Sequence, residues 1–231
     1  MYRLSKLVTY SIKAVEKVLS RLGASYEIVV VDDGSPDDTY QWALRASKSP
    51  CVKVYRLPRN MGKGFALIYG YRRSRGRIIV FLDGDLDIDP RQVWLLLAAL
   101  AKHRADIAIT SKWHPQSKTI ATPIRKLLSK SFIALERLVL GIRLSDTQTG
   151  AKAFRRRVLD AVAPRLRIKR YAFDAELLYI AMKMGFRIVE VPALWRVRLA
   201  SRFSPREILR MLLDLLAIAY RNRFAFGGSR G

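Results

Sequence analysis

Four aspartates at alternate positions are the residues of this chain best suited to binding a metal ion: Asp83, Asp85, Asp87 and Asp89. They follow an apolar, β-branched run at 78–82, typical of a strand buried on both faces of a parallel sheet. If the chain stays extended, Asp83 and Asp85 point the same way at the carboxyl end of that strand, where open α/β sheets bind ligands. Because clustered carboxylates repel each other without a cation, and hard oxygen ligands suit Mg²⁺ or Mn²⁺, the stretch predicts a metal site. The alternative is an acidic loop that caps a helix beginning near Pro90.

A second acidic pair, Asp32 and Asp33, ends another predicted buried strand at 26–31. Gly34 and Pro36 then turn the chain towards a predicted helix at 39–47. If both strands belong to one sheet, the two acidic loops lie on the same sheet edge. One loop could then hold the base or ribose of a nucleotide, and the other could hold its diphosphate through a metal ion.

A basic loop at 58–64 precedes the next predicted helix and contains Arg59, Lys63 and two glycines. Glycines permit close backbone contact and a helix N-terminus favours anions, so this loop could approach phosphate groups. A solvated connector is the alternative. The residues do not form the GxxxxGK[ST] loop of P-loop ATPases, which argues against that class of enzyme.

Composition and charge restrict the class of partner. The 231 residues carry 43 basic and 19 acidic side chains, a net charge of +24, which indicates an anionic partner such as nucleic acid, an acidic membrane surface or a phosphorylated substrate. The single cysteine, Cys51, cannot form an intrachain disulfide. No apolar run reaches the ~18–20 residues that span a bilayer, and the N-terminus lacks the pattern of a signal peptide.

The order of predicted elements gives the fold class. Strands and helices alternate from residue 26 to 110, which is typical of an α/β fold with a mostly parallel sheet flanked by helices. Further strands are expected at 151–155 and 187–194, and a helix at 173–184. We expect one domain at 1–225 and a loose tail at 226–231. Residues 12–22 predict an amphipathic helix, whereas 1–11 contain no clean strand, so the first strand is either degenerate or truncated.

Two predicted helices, 122–140 and 204–221, are amphipathic and basic. Basic amphipathic helices are typical of surfaces that lie in a bilayer interface, where each Lys or Arg near anionic lipid contributes roughly 1 kcal/mol. Ordinary packing on the sheet is the alternative for each helix.

Four motifs occur in an order and spacing that resemble a known family: VVVDDGSPDDT (29–39), FLDGDLDIDP (81–90), SDTQTGAKAF (145–154) and RYAFDAELL (170–178). Together they resemble the family-2 inverting glycosyltransferases with the GT-A fold. Within that family the chain is most similar to the dolichyl- and polyprenyl-phosphate mannose and glucose synthases, and the last two motifs favour the glucose side. The resemblance covers about residues 12–215. It fails at 2–12, where the family has a clean first strand and a loop that helps to hold the nucleoside.

The resemblance implies roles for particular residues. Asp32, Asp33 and Ser35 would bind the nucleoside of a UDP- or GDP-hexose, and Lys63 would lie near its phosphates. Asp83 and Asp85 would hold Mg²⁺ or Mn²⁺ on the diphosphate, with Asp87 as a third ligand. The basic region 198–202 would hold the diphosphate or an acceptor phosphate through three side chains: Arg198, Ser201 and Arg202.

The activity that the resemblance implies is transfer of a hexose to a polyprenyl phosphate, with inversion, at the cytoplasmic face of the cell membrane. The metal ion bound by Asp85 would neutralise the leaving diphosphate. An acceptor phosphate is already anionic, so only a hydroxyl acceptor would require a base, for which Asp146 and Asp174 are the candidates. Alternatively, Asp146 could cap a turn and Asp174 could cap a helix.

Three other functions stay open at this point. The protein could act on a glycan hydroxyl, or it could be an inactive relative that binds sugar nucleotides. It could also bind nucleic acid through its basic surface, but no nucleic-acid motif occurs and acidic pairs at strand ends serve no purpose there, so no nucleic acid is expected as a partner.

Overall fold

The computed structural model describes residues 1–5, 7–117, 119–120, 123–170, 172–193, 197–198 and 205–225. The predicted tail at 226–231 lies outside these residues. Among those described, no helix is long and apolar enough to cross a membrane.

The N-terminal half contains a two-stranded parallel sheet. Its strands are β1 (Ile28–Asp32) and β2 (Val52–Arg56), paired in register from Ile28 opposite Val52 to Asp32 opposite Arg56. Three helices belong to this half: α1 (Val8–Leu19), α2 (Thr39–Ala46) and α3 (Lys63–Arg73). The first helix begins four residues before the predicted start at residue 12. No strand forms among the described residues of 1–11.

A four-stranded sheet forms the centre of the molecule. Its strands, in spatial order, are β3 (Ile78–Leu82), β6 (Ala151–Arg155), β4 (Ile107–Ser111) and β7 (Ile188–Pro192). β4 and β7 are parallel, whereas β6 is antiparallel to both of its neighbours. The chain enters β6 from a loop that meets the carboxyl end of β3, where Asp83 N donates to Gly150 O at 3.0 Å. That entry point forces the reversed direction of β6.

The prediction that the two acidic strands belong to one sheet is wrong. β1 pairs with β2 and β3 pairs with β6, and within the described residues no strand joins β1 to β3. Among the described residues, the segment that precedes β1 folds into α1 and supplies no strand between β1 and β3. Two short strands, β5 (Thr119–Ile120) and β8 (Val197–Arg198), form a separate parallel pair.

The remaining helices pack on the two faces of the central sheet: α4 (Gln92–Lys102), α5 (Pro123–Leu140), α6 (Arg156–Val162), α7 (Phe173–Lys183) and α8 (Pro205–Ala225). The largest buried cluster combines Phe154 of β6 with Phe173 and Leu177 of α7, all almost fully buried. On the other face, Leu96 and Leu100 of α4 pack against the sheet. Because α7 is buried over Phe173–Ala181, its two acidic residues are held inside the protein.

The two basic helices leave apolar side chains exposed. α8 buries Met211, Leu215 and Ile218, as its sequence pattern predicts, but several other large side chains of the two helices face solvent. These exposed side chains are Ile124, Leu127, Leu128 and Leu138 of α5, and Leu209, Leu213, Leu216 and Tyr220 of α8. Packing on the sheet therefore accounts for only one side of α8.

Candidate active site

Asp83 lies directly after β3 and is fixed by its backbone. Its amide donates to Gly150 O at 3.0 Å, which extends the β3–β6 pairing by one residue. A Cβ atom on Gly150 would lie 2.0 Å from Asp83 Oδ2. Glycine at position 150 therefore leaves the space that the Asp83 carboxylate occupies.

The chain does not stay extended after Asp83. Leu86 has a φ of +59°, in the left-handed region, and Asp85 Oδ1 accepts a hydrogen bond from Asp87 N at 3.1 Å. Asp85 is exposed. Reduced solvation by the surrounding protein raises the pKa of the Asp85 carboxyl, and the carboxylate of Asp83 raises it further. The extended conformation on which the alignment of Asp83 and Asp85 depended is therefore absent, because the chain turns at Gly84 and Asp85.

Asp89 lies in a turn before α4, whereas the alternative interpretation of the acidic stretch expected a cap, and α4 has no side-chain cap. Its carboxylate accepts from Arg91 N at 2.8 Å and from the Arg91 guanidinium at 2.7 and 2.9 Å. These bonds shape the turn that leads into α4. They account for Asp89 and leave Asp83, Asp85 and Asp87 as the candidate metal ligands.

Lys63, the first residue of α3, lies between two carboxylates. Its Nζ is 2.9 Å from Asp83 Oδ1 and 3.6 Å from Asp174 Oδ2. Burial lowers the pKa of Lys63, but Asp83 and Asp174 outweigh this effect and raise it above its ordinary value. Lys63 is therefore a permanently charged group at the N-terminus of a helix, which is a favourable position for binding a phosphate.

Asp174 connects Lys63 to a second, deeper lysine. Lys152 Nζ lies 2.7 Å from Asp174 Oδ1, and the two side chains are 1% and 5% exposed. Burial raises the pKa of Asp174, but the ammonium groups of Lys152 and Lys63 outweigh it and hold the pKa below the ordinary value. The result is a row of alternating charges from the site into the core: Asp83, Lys63, Asp174 and Lys152. The explanation that Asp174 caps its helix is wrong, because α7 has no side-chain cap and Asp174 pairs with lysines.

Asp32 and Asp33 are buried and bonded within the loops around them. Asp32 accepts from the Ser35 hydroxyl and lies 3.4 Å from Arg56 Nε. Asp33 accepts from Met61 N at 2.7 Å and from Gly62 N at 3.0 Å. Because Lys63 follows these two residues and binds Asp83, residues 61–63 connect the acidic ends of β1 and β3. The two ends therefore meet in space although their strands lie in separate sheets.

Asp146 organises the polar loop between α5 and β6. It accepts from Gln148 N at 3.0 Å, which is a turn-forming bond, and from Lys112 N at 3.0 Å. The Thr149 hydroxyl also donates to it. Asp146 is 2% exposed and therefore fixes this loop against the end of β4.

Glu136 of α5 was not predicted as a site residue. It is 1% exposed and accepts from the Thr147 hydroxyl, while among the described residues its Oε2 atom has no hydrogen-bond partner. Burial raises the pKa of Glu136 to about 7, with smaller contributions from Asp146 and Asp174. Its position as the single acidic residue of the basic, amphipathic helix α5 is the sequence signal that could have identified it.

Within the described residues, no three carboxylate, histidine or cysteine side chains form a cluster that could hold a metal ion. The available donors are nevertheless suitable, because Mg²⁺ is usually bound by one or two carboxylates together with water and substrate phosphates. Asp83 and Asp85 supply two such carboxylates beside Lys63. The residues present therefore fit a divalent cation that arrives with a diphosphate.

A basic cavity of about 620 Å³ lies beside the connecting loop, residues 61–63. Its lining includes five cationic residues: Arg59, Arg167, Lys169, Arg170 and Arg210. Of the predicted phosphate-binding residues, Arg198 lies in β8, and Ser201 and Arg202 lie outside the described residues.

Comparison with known families gives the class of protein. The family model described as glycosyl transferase family 2 matches residues 10–163. The chain belongs to glycosyl transferase family 2. This confirms the resemblance drawn from the four motifs and identifies the chain as a member of an enzyme family that transfers sugars.

Among similar family-2 proteins is the dolichyl-phosphate beta-glucosyltransferase of Homo sapiens, 33% identical over 231 residues (95% of this chain and 71% of that protein). The dolichyl-phosphate beta-glucosyltransferase ALG5C of Trichomonas vaginalis is 30% identical over 94% of this chain and 68% of its own length. The undecaprenyl-phosphate mannosyltransferase of Micrococcus luteus is 35% identical over 72% of this chain and 70% of its own length.

Solved structures confirm the fold class. Glucosyl-3-phosphoglycerate synthase from Mycobacterium tuberculosis superposes with a TM-score of 0.70 at 22% identity, over 98% of this chain and 78% of that one. The same enzyme in complex with Mn²⁺, uridine-diphosphate-glucose and phosphoglyceric acid gives a TM-score of 0.71 at 22% identity, over 95% and 77% of the two chains. The expected GT-A-type α/β fold is thus present.

Proposed function

We propose that the protein transfers a hexose from a nucleoside diphosphate sugar to a polyprenyl phosphate, with inversion at the anomeric carbon. The observation that carries this proposal is the connection of Asp33 to Asp83 through residues 61–63. In this proposal Asp33 would lie on the nucleoside side, Lys63 on the phosphate side and Asp83 on the metal side of one continuous site. The relatives named as dolichyl-phosphate beta-glucosyltransferases support the lipid acceptor, since they are about 30–33% identical over nearly the whole chain.

Asp83 and Asp85 would hold Mg²⁺ or Mn²⁺ in this proposal, with Asp87 nearby. The cation would neutralise negative charge on the leaving nucleoside diphosphate. Lys63 would bind the diphosphate oxygens, because its ammonium group lies 2.9 Å from Asp83 at a helix N-terminus. The lowered pKa of Asp174 makes it a weak base, so we assign it the role of counterion that positions Lys63.

The acceptor would reach the site from a membrane surface. Exposed leucines on α5 and α8 lie on helices that also carry exposed basic residues such as Lys126 and Arg210. That combination suits an anionic bilayer interface, with the cytoplasmic face as the expected side. The basic cavity lined by Arg167, Lys169 and Arg170 would receive an acceptor or donor phosphate.

Product extraction tests the proposal. Purified protein, Mg²⁺ or Mn²⁺ and a polyprenyl phosphate are mixed with radiolabelled UDP-glucose and, separately, GDP-mannose. We expect label in the organic phase from one donor, a loss of at least ~100-fold in Asp85→Ala, and little change in Asp89→Ala. Asp89 is a matched control because Arg91 already occupies its carboxylate.

Three results would contradict parts of the proposal. No label from either donor, with folded protein, would overturn the assigned activity and favour an inactive relative. Label transferred to an added glycan acceptor, and separated from unreacted nucleotide sugar, would indicate a hydroxyl acceptor. Equal losses in the Asp85 and Asp89 variants would contradict the proposed metal ligands.

A further inference from the structure

The backbone on both sides of Lys63 is held in place. Gly62 N donates to the Asp33 carboxylate at 3.0 Å, and Gly64 N donates to Lys169 O at 2.9 Å. A Cβ atom on Gly62 would lie 2.4 Å from that same Lys169 oxygen, so the two segments are in close contact. Because these contacts flank Lys63, the start of α3 is fixed, and a change at this position has to come from the lysine side chain.

The Lys63 ammonium group contacts both oxygens of the Asp83 carboxylate. Its Nζ lies 2.9 Å from Oδ1 and 3.0 Å from Oδ2, and the two side chains are 31% and 35% exposed. A divalent cation bound to Asp83 would use these same oxygens. Two cations on one half-buried carboxylate repel each other, since solvent screens them only in part. In this position Lys63 therefore competes with a metal ion for Asp83.

Asp174 offers Lys63 a second position. Its Oδ2 atom lies 3.6 Å from Lys63 Nζ, whereas its Oδ1 atom binds Lys152 Nζ at 2.7 Å. The lysine can thus turn away from Asp83 and keep a carboxylate partner. Such a change has a low energetic cost, because a partly buried ammonium group becomes strongly unfavourable only when it loses its pairing.

We propose that Lys63 is an internal counterion that keeps a divalent cation off Asp83 until a nucleoside diphosphate enters the site. This inference rests on the proposed function, which assigns the metal to Asp83 and Asp85, and it adds an order of binding. The diphosphate oxygens would draw the Lys63 ammonium group away from Asp83, because charge-assisted hydrogen bonds to phosphate are strong. Asp83 would then be available to the cation, so the nucleotide and the cation would bind cooperatively.

This competition has two measurable consequences. Lys63 should supply part of the coupling between the two ligands, in addition to the part that comes from direct contact between the cation and the diphosphate. Because coupling is reciprocal, the cation should strengthen nucleotide binding by the same factor. Removal of the lysine charge should also let Asp83 and Asp85 bind a cation without nucleotide, and a cation bound in this way would stabilise the folded protein.

Calorimetric titration with Mn²⁺ tests the proposal in wild type, Lys63→Met and Lys63→Arg, without nucleotide and with UDP or, separately, GDP. Lys53→Met is the matched control, because Lys53 also pairs with a carboxylate, Glu27 at 3.4 Å, and is 39% exposed. We expect Mn²⁺ alone to bind Lys63→Met at least ~10-fold more tightly than the other three proteins, and to raise Tm most in Lys63→Met. The factor by which nucleotide strengthens Mn²⁺ binding should be at least ~10-fold smaller in Lys63→Met than in wild type.

Three outcomes would overturn the proposal. Equal Mn²⁺ affinities of wild type and Lys63→Met, each with a cooperative thermal transition, would show that Lys63 does not compete with the cation. The same gain in Lys53→Met would show that only the net charge of the protein matters. The same gain in Lys63→Arg would show that the lysine charge is not the cause.

Failure of the proposed function gives a different result. If neither UDP nor GDP binds to wild type, the donor site is refuted together with the order of binding. Nucleotide binding combined with equal Mn²⁺ affinities in wild type and Lys63→Met refutes the order of binding alone. None of these measurements depends on catalytic activity.

Discussion

The buried carboxylate of Asp174 pairs with two lysines, so its replacement by asparagine should destabilise the protein strongly. Lys152 Nζ lies 2.7 Å from Asp174 Oδ1, and its side chain is 1% exposed. Asp174→Asn leaves Lys152 as a buried cation without its carboxylate, which we expect to lower the free energy of unfolding by about 3–5 kcal/mol. In a chain of this length, that loss lowers Tm by about 10 °C. Urea unfolding and calorimetry measure the two quantities.

A double variant separates the effect of the pair from the effect of an unpaired charge. Asp174→Leu with Lys152→Met removes both buried charges and keeps similar volumes, so its stability should be close to that of the wild type. Sugar transfer should remain impaired in the double variant, because Lys63 has lost one of its two carboxylates. A single Asp174→Asn variant within about 1 kcal/mol of wild type would refute the assigned role of this carboxylate.

The pH dependence of the same variant gives a second check. Lys152 and Lys63 hold the pKa of Asp174 below its ordinary value, although burial opposes them. The stabilisation is therefore fully present above the unfolded pKa of about 3.9 and is lost as pH falls through the lower folded pKa. The difference in Tm between wild type and Asp174→Asn should shrink between pH 7 and pH 3. A difference that is constant over this range would contradict an ionised Asp174.

Three further predictions follow from individual contacts. Gly150→Ala should displace Asp83, because the added Cβ would lie 2.0 Å from Asp83 Oδ2. Metal-dependent binding of sugar nucleotide, measured by calorimetry, should then weaken at least ~10-fold. Unchanged binding would contradict the proposed position of that ligand. Burial raises the pKa of Glu136 to about 7, so ionising it costs stability as pH rises from about 4.5 to 7. Glu136→Gln should therefore gain up to about 3 kcal/mol at pH 8 and little at pH 5 in urea unfolding, and an equal effect at both values would refute this. Leu213→Glu on the exposed side of α8 should weaken binding to anionic vesicles at least ~10-fold in a sedimentation assay. Leu44→Glu on α2, which replaces another exposed leucine, should leave this binding unchanged. Equal effects of the two substitutions would exclude α8 as the lipid-facing helix.

Local sequence patterns could predict the elements that carry the acidic residues. The apolar run before Asp83 becomes β3, and the run before Asp32 becomes β1, each within two residues of the predicted bounds. A buried strand and a turn leave strong local signals in residue type. The four motifs could also predict the family, because their order along the chain can be read from the sequence without knowledge of the tertiary contacts.

Contacts between distant residues could not be predicted in the same way. Lys152 alternates with apolar residues in β6 and gives no sign that it is almost fully buried and paired with Asp174, 22 positions away. The reversed direction of β6 depends on the loop that enters at Gly150, and strand periodicity is the same in both directions. Glu136 resembles any acidic residue of a basic helix until α5 is packed on the sheet.

The connecting loop explains how a site can form across two separate sheets. Since no strand in the described part of the chain lies between β1 and β3, backbone pairing does not fix the distance between Asp33 and Asp83. Residues 61–63 supply a substitute, because Asp33 holds the amides of Met61 and Gly62 while the next side chain, Lys63, holds Asp83. The same lysine would have to turn towards an incoming diphosphate, which would weaken this link as the substrate binds.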